Sequence, residues 1–369
     1  MKGSFHPGEL AIQRRAGLLE QAQVTRRIIL QELPAGADRF LSRQRLAVVS
    51  SLEPSGRVWA SLLAGPEGFI TAVDRQLLLL RTHPRSGDPL ARTLAARPEL
   101  GLLVLDPRTR QRMRFNGRGS SSPEGVFLLV EQAYGNCPKY IQRRRLEPGT
   151  HASATGAPTV ASALDARQQA MAARADTFFI ASFHPQAGAD ASHRGGFPGF
   201  VRVLAPDHLA FDDYPGNGMF NTLGNLAAYP QAGLLFLDFA SGDLLQLTGR
   251  AEVLANLSVS FRLDEVRETP GGSPVRFSLE AYSPANPPLS HGAQRGISRA
   301  ASDAGGDEEN DMTKHIACDD VVKGCAFTAS SPTEEELLKH VTAHAAEAHG
   351  VKEVTPELAA KVKAAIQSR

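Results

Sequence analysis

Cysteine is scarce in this chain of 369 residues: only Cys137, Cys318 and Cys325 occur. Two of them are crowded near the C-terminus, which excludes a distributed disulfide framework. Long hydrophobic runs are also missing. Aliphatic runs such as Leu77 to Leu80 are far short of the ~20 residues that span a bilayer, and the N-terminal MKGSFHPGEL has no hydrophobic signal core. The expectation is a cytoplasmic protein with no membrane attachment. Neither charge is in excess, since 40 Lys and Arg face 39 Asp and Glu for a net charge of +1. No global field therefore recruits nucleic acid. What is present is apolar material at 42% and charged residues at 21%, enough for real cores, and a length that suits two or three domains of about 100–200 residues each.

Two stretches poor in large apolar side chains divide the chain. Residues 147–163, EPGTHASATGAPTVASA, read as a linker, and residues 284–311, PANPPLSHGAQRGISRAASDAGGDEEND, as a flexible tether. The domains expected are an N-terminal helical segment (1–37), a first repeat (38–146), a second repeat (164–283) and a small module (312–369). The repeats are offset by about 132 residues: ARPELGLLVLD (96–106) matches AYPQAGLLFLD (228–238), and MRFNGRG (113–119) matches LQLTGRA (245–251). Within the first, apolar runs bounded by Pro, Gly and Ser at 46–52, 58–65, 69–73, 77–82, 101–106 and 112–120 predict strands. Segment 88–97 predicts a helix, and so does VFLLVEQAY (126–134), entered through Ser122-Pro123-Glu124. A further helix is expected over about 8–31. The fold class is mainly β with α, each repeat a small antiparallel barrel.

The runs QAYGNCPKYIQRR (132–144), SHRGGFPGFVRV (192–203) and GNGMFNTLGNL (216–226) resemble the pyridoxamine-phosphate-oxidase-like FMN-binding split-barrel family, closest to its tandem flavin-dependent branch. The resemblance implies tandem split β-barrels paired as an intramolecular pseudo-dimer, with FMN as cofactor. The residues suit that cofactor, whose phosphate, ribityl chain and flat ring need cations or amides, polar side chains and an apolar slot. Ser192, His193 and Arg194 stand before Gly195-Gly196, where backbone can approach a ligand closely. Asn217, Asn221, Thr222 and Asn225 spread polar groups along a loop and helix start, with Phe220 and Phe200 available as walls. The same glycines and asparagines also read as ordinary turns and caps. Lys139, Arg143 and Arg144 are candidate phosphate ligands.

The first repeat has SLLAG (61–65) and PRSGDPLART (84–93) at the aligned positions, so one flavin site per chain is expected, built mainly from the second repeat. Cys137 reads as a small apolar filler. His6 and His184 share the tetrapeptide Ser-Phe-His-Pro (4–7 and 182–185), for which a loop-fixing role is expected.

In the C-terminal module, Cys318 and Cys325 precede His340, His344 and His349 on a segment opened by the helix-start signal Ser331-Pro332-Thr333-Glu334. Two thiolates and two imidazoles are the donor set of a tetrahedral zinc site. The spacing leaves open which histidines take part. The segment is similar to a family described as predicted small metal-binding proteins, which implies Cys318, Cys325, His344 and His349 as ligands in an α-rich module. The function expected is an FMN-dependent oxidoreductase acting between small-molecule electron donors and acceptors. A deazaflavin or haem in place of FMN, or a non-catalytic sensor or storage protein with the metal module as a docking surface, are the alternatives.

Overall fold

The computed structural model describes residues 5–148, 158–289 and, near the C-terminus, 314–318, 321, 325, 328–331, 337–338, 341–342, 344–345, 361–362 and 365–368. The chain is mostly β with some helices, and it divides into residues Met1–Ala300 and Ala301–Arg369.

The expected helix over 8–31 is broken. It comprises α1 (Pro7–Arg15), α2 (Leu19–Thr25) and a 3-10 turn (Arg26–Ile28), because Gly17 adopts a left-handed φ of 69° that no helix interior allows. A short helix α3 (Ala37–Leu41) leads into the first repeat. That repeat runs β1 (Leu46–Leu52), β2 (Val58–Ala64), β3 (Ile70–Ala72), β4 (Leu77–Leu80), α4 (Pro89–Ala96), β5 (Glu99–Asp106), β6 (Gln111–Ser122) and β7 (Gly125–Gly135). The predicted helix over 126–134 is a strand. Val126, Leu128 and Val130 are buried while Leu129 is exposed, a period of two rather than 3.6, and Pro123-Glu124 form the tight turn between β6 and β7 that resembled a helix start.

After β8 (Arg143–Leu146) and β9 (Thr159–Ala161), the second repeat opens with α5 (Ala166–Arg174) and continues through β10 (Thr177–His184), β11 (Gly188–Gly195), β12 (Val201–Ala205), β13 (His208–Phe211), α6 (Asn221–Ala228), β14 (Gln231–Leu237), β15 (Leu244–Val253) and β16 (Val259–Thr269). β17 (Phe277–Ala281) pairs with β8. β9 lies inside the expected linker yet pairs with β16, and Asn286, inside the expected tether, hydrogen-bonds to Gln142.

The two sheets share one strand order, β2-β1-β5-β6-β7-β4-β3 in the first and β11-β10-β14-β15-β16-β13-β12 in the second. Both are open paths rather than the closed barrels expected. The free edge of β2 is covered by the other repeat: Gln246 donates to the Ala60 carbonyl at 2.9 Å and Thr248 to that of Val58 at 2.8 Å, so its carbonyls are satisfied without ring closure.

Even the faults repeat. Each long hairpin shifts register at its Gly-Arg pair, at Gly117 and Gly249, where a Cβ would meet carbonyl oxygen of the facing strand at 2.0 Å. Gly101 lets the backbone of Ala189 and Asp190 approach, and its counterpart Gly233 does the same for Val58 to Ala60. Each sheet has its own core, and a third apolar cluster lies between them, with Val48, Val58 and Leu103 against Phe179, Ala191 and Leu235.

In the C-terminal unit the described residues include a three-stranded antiparallel sheet of β18 (Lys314–Ala317), β19 (Thr328–Ser331) and β20 (Gln367–Ser368). Sequence reasoning expected an α-rich module there and missed these strands, which are too short to show a clear alternation.

Candidate functional site

Register pairs fix which positions of the repeats correspond. His193 faces Phe179, which faces Leu235, while Leu62 faces Val48, which faces Leu103. His193 therefore corresponds to Leu62 and Arg194 to Leu63. By the same logic Arg114, facing Leu103, corresponds to Gln246, facing Leu235, and Arg112 to Leu244. Arg112 in the first repeat and Arg194 in the second thus stand where the other repeat has leucine, and Arg114 where it has Gln246.

Those cations line an open cleft enclosing about 710 Å³ of space, its mouth included. Arg112 and Arg114 come from β6, and Asn136, Cys137 and Tyr140 from the segment after β7. The second repeat contributes His193, Arg194 and Gly195 from β11, Phe200, the loop around Asn217, and Phe220, Asn221 and Thr222 at the start of α6. The cleft is thus shared by both repeats, with most of its lining from the second and Asn136, Cys137 and Tyr140 from the segment 132–144. Arg112 and Arg114 were missed because arginines in QRMRF read locally as a solvated strand face. Two of the four non-glycine residues with positive φ among the described residues stand here, Tyr140 at 68° and Phe220 at 57°, and such strain gathers where a structure holds a ligand.

Charge pairing leaves one cation over. Arg114 is bound to Asp190 at 3.1 Å, Arg194 to Asp213 at 2.8 Å and Arg202 to Asp212 at 3.0 Å. Arg112 has no carboxylate partner among the described residues; it donates to His193 Nδ1 at 2.9 Å. Burial first, and the nearby Arg114 and Arg194 after it, pull its pKa down to about 10, which leaves it charged at neutral pH. A guanidinium only donates, so His193 Nδ1 accepts and the ring proton sits on Nε2. His193 is 3% exposed, and burial followed by the surrounding arginines drives its pKa well below the usual range, so it stays neutral.

The buried Nε atoms of Arg112, Arg114 and Arg194, and His193 Nε2, all lack a hydrogen-bond partner. Four unsatisfied donors on residues that line one cleft suit a multiply charged oxyanion. Tyr140, Tyr214 and Phe200 form an aromatic wall, the first two with ring centroids 5.3 Å apart.

The other sequence candidates are distributed differently. Ser192 is fully buried and bonds through its hydroxyl to Thr222 at 2.7 Å. Asn217 accepts from the Met219 amide at 3.0 Å, a turn contact. Asn221 lines the cleft but donates to Glu9 of α1 at 2.5 Å. Asn225 lies outside the cleft, with Oδ1 2.9 Å from His6 Nε2 and Nδ2 3.0 Å from the Ser182 hydroxyl. Lys139 is an exposed turn residue that does not line the cleft. Arg143 pairs with Glu280, and buried Arg144 pairs with Asp176 and stacks 4.0 Å over the Phe239 ring. These two arginines are structural.

In the C-terminal unit, ligand atoms of Cys318, Cys325 and His344 lie within 4.8 Å of one another, with Cys325 Sγ 3.3 Å from His344 Nε2. Two soft thiolates and one imidazole suit Zn²⁺. His349 and His340 lie outside the described residues.

Residues 33–152 match the family model of pyridoxamine 5'-phosphate oxidase, a stretch that contains Arg112, Arg114, Cys137 and Tyr140. Residues 313–368 match DUF1059, a protein family of unknown function. Among curated proteins none matches the chain. Similar solved structures include a candidate pyridoxamine 5'-phosphate oxidase from Lactobacillus delbrueckii, at 15% identity over 29% of this chain and 94% of that one with a TM-score of 0.24. HupZ of Group A Streptococcus, at 13% identity, covers 28% of this chain and 94% of its own with a TM-score of 0.23. An F420 reductase, at 14% identity, covers 28% and 98% with a TM-score of 0.21. Among the described residues no helix is long and apolar enough to cross a membrane.

Proposed function

We propose that the cleft binds FMN and that the chain is an FMN-dependent oxidoreductase, its two repeats arranged as the two subunits of a dimer joined in one chain. The observation that carries this reading is Arg112, a half-buried cation whose buried Nε has no hydrogen-bond partner and which has no carboxylate partner among the described residues. A buried charge without a counter-ion costs several kcal/mol, and a phosphate dianion removes that cost. The family match over 33–152 supports the choice of a flavin phosphate over other oxyanions.

In this reading Arg112, Arg194 and the His193 Nε2 proton hold the phosphate. Tyr214, Phe200 and Phe220 exclude water along the cleft, and Asn221 and Thr222 offer polar contacts to the rest of the ligand. The bound flavin supplies hydride or single-electron chemistry, and no protein nucleophile is required. Cys318, Cys325 and His344 hold a divalent metal ion in the C-terminal unit, separate from this chemistry.

The test compares FMN with riboflavin on the flavin-stripped full chain by quenching of flavin fluorescence. FMN binding at least 100-fold tighter than riboflavin, lost in Arg112→Leu, supports the assignment. Equal binding of the two, or none of either, overturns it. NAD(P)H or oxygen turnover by the holoprotein separates the enzyme from a non-catalytic flavin carrier.

A further inference from the structure

A second cavity, enclosing about 500 Å³ of space with its mouth, lies beyond Asn221. Its wall comes from the start of α1 (His6 at the N-cap, Glu9), the 3-10 turn after α2 (Arg26), β6 and β7 (Asn116, Gln132), the start of β11 (Asp190) and α6 (Asn221, Asn225). Asn116 is 7% exposed. Its Nδ2 donates to Asp190 at 3.2 Å and to Gln132 at 3.4 Å, while its Oδ1 is buried without a partner. Glu9, 6% exposed, accepts from the His6 amide at 2.9 Å and from Asn221 at 2.5 Å, and a carboxylate has lone pairs for further donors.

The charges on this wall are sorted. Asp190 is balanced by Arg114 behind it. His6 Nδ1 accepts the Glu9 amide proton, which puts its own proton on Nε2 toward Asn225, and burial lowers the pKa of His6 to about 4. The histidine is neutral and adds no cation. Arg26 is the one cationic side chain on the wall, half-buried and without an ion pair among the described residues. A simple anion would meet Glu9 and Asp190, and a simple cation would leave Arg26 unanswered.

We propose that this cavity binds a small zwitterion, an amino-carboxylate whose ammonium group donates to Asn116 Oδ1 and the Glu9 carboxylate and whose carboxylate pairs with Arg26. Asn221 walls both cavities, but Asn116, Glu9 and Arg26 do not belong to the oxyanion cluster, so the proposal does not rest on the flavin reading.

The experiment titrates the full chain with glycine, β-alanine and γ-aminobutyrate as zwitterions of increasing length, by calorimetry at pH 7.5. Methylammonium and acetate serve as single-charge controls. At least one zwitterion binds, both controls bind at least 10-fold more weakly, and Arg26→Gln and Glu9→Gln each lose at least 10-fold. Glu9→Gln keeps the shape of the side chain, and Arg26→Gln alters a half-buried side chain that makes no hydrogen bond or ion pair among the described residues, so the second variant decides the matter should the first fail to fold. Absence of binding by every zwitterion, equal binding of a control, or unchanged binding in Arg26→Gln overturns the proposal. Acetate captured by the oxyanion cleft is recognised by its insensitivity to Arg26→Gln.

Discussion

The imidazole of His6 stacks on that of His184, ring centroids 3.8 Å apart. Both belong to a Ser-Phe-His-Pro tetrapeptide, and each fixes a chain reversal. His6 caps α1 in a reciprocal capping box with Glu9, and His184 Nδ1 accepts from the amides of Gln186 and Ala187. The expected loop-fixing role is what these contacts perform, and the stack ties α1 to the end of β10 beside the second cavity.

This junction makes stability depend on pH in two opposed windows. Burial, the largest cause, raises Glu9 from 4.5 to about 7, so its contribution is complete below pH 4.5 and is lost as pH rises through 7. His6 falls from 6.5 to about 4, chiefly by burial, so its contribution is complete above pH 6.5 and is lost as pH falls through 4. Glu9→Gln removes only the first. In urea unfolding its stability relative to the parent should rise by about 2.5 kcal/mol between pH 5 and 8, and a difference independent of pH would contradict the environment of Glu9.

Arg112→Leu places in the first repeat the residue that the second carries at Leu244. It should cost at least 100-fold in FMN affinity while leaving the flavin-free protein as stable or more so, by about 1–3 kcal/mol, because an unbalanced, half-buried cation is gone. Arg144→Ala should do the reverse. It keeps FMN affinity within a few-fold and loses about 3 kcal/mol, since Asp176 is left buried without its partner. Parallel FMN titration and chemical unfolding of the two variants check the contrast.

The contact between repeats is set by backbone approach. A Cβ on Gly101 would lie 2.6 Å from Asp190 Cα, and one on Gly233 2.7 Å from the Ala60 nitrogen. Gly101→Ala and Gly233→Ala should each lower stability by about 2 kcal/mol or more, whereas Gly135→Ala, with no atom within 4 Å of the added carbon, should stay within about 0.5 kcal/mol. Thermal unfolding of the three variants distinguishes a packed interface from a loose one.

For the Cys318, Cys325 and His344 cluster, the full chain should take up one Zn²⁺ by elemental analysis, and Co²⁺ in its place should show thiolate charge-transfer absorption. Cys318→Ser and Cys325→Ser should each remove that band. Comparing His340→Ala with His349→Ala identifies the fourth ligand. Metal content indistinguishable between parent and both cysteine variants would dismiss the site.

The sequence by itself determined the strands, the duplication and the asymmetry between its halves. Apolar runs bounded by Pro, Gly and Ser along β1, β2, β5 and β6, the Gly-Arg pairs at the bulges and the leucines of SLLAG where the second repeat has SHRGG are signals carried by near neighbours in the chain. Where a local signal had two meanings it misled: Ser122-Pro123-Glu124 is as good a hairpin turn as a helix start. Only the tertiary structure decided who shares the cleft. Arg112 meets His193 across 81 positions of sequence, and Asn225 turns to His6 across 219, because two sheets and a helix dock through backbone contacts at Gly101 and Gly233. Which arginine then lacks a counter-ion is a property of that docking, since charge balance in a buried site depends on every group brought within a few ångströms and on none of their distances along the chain.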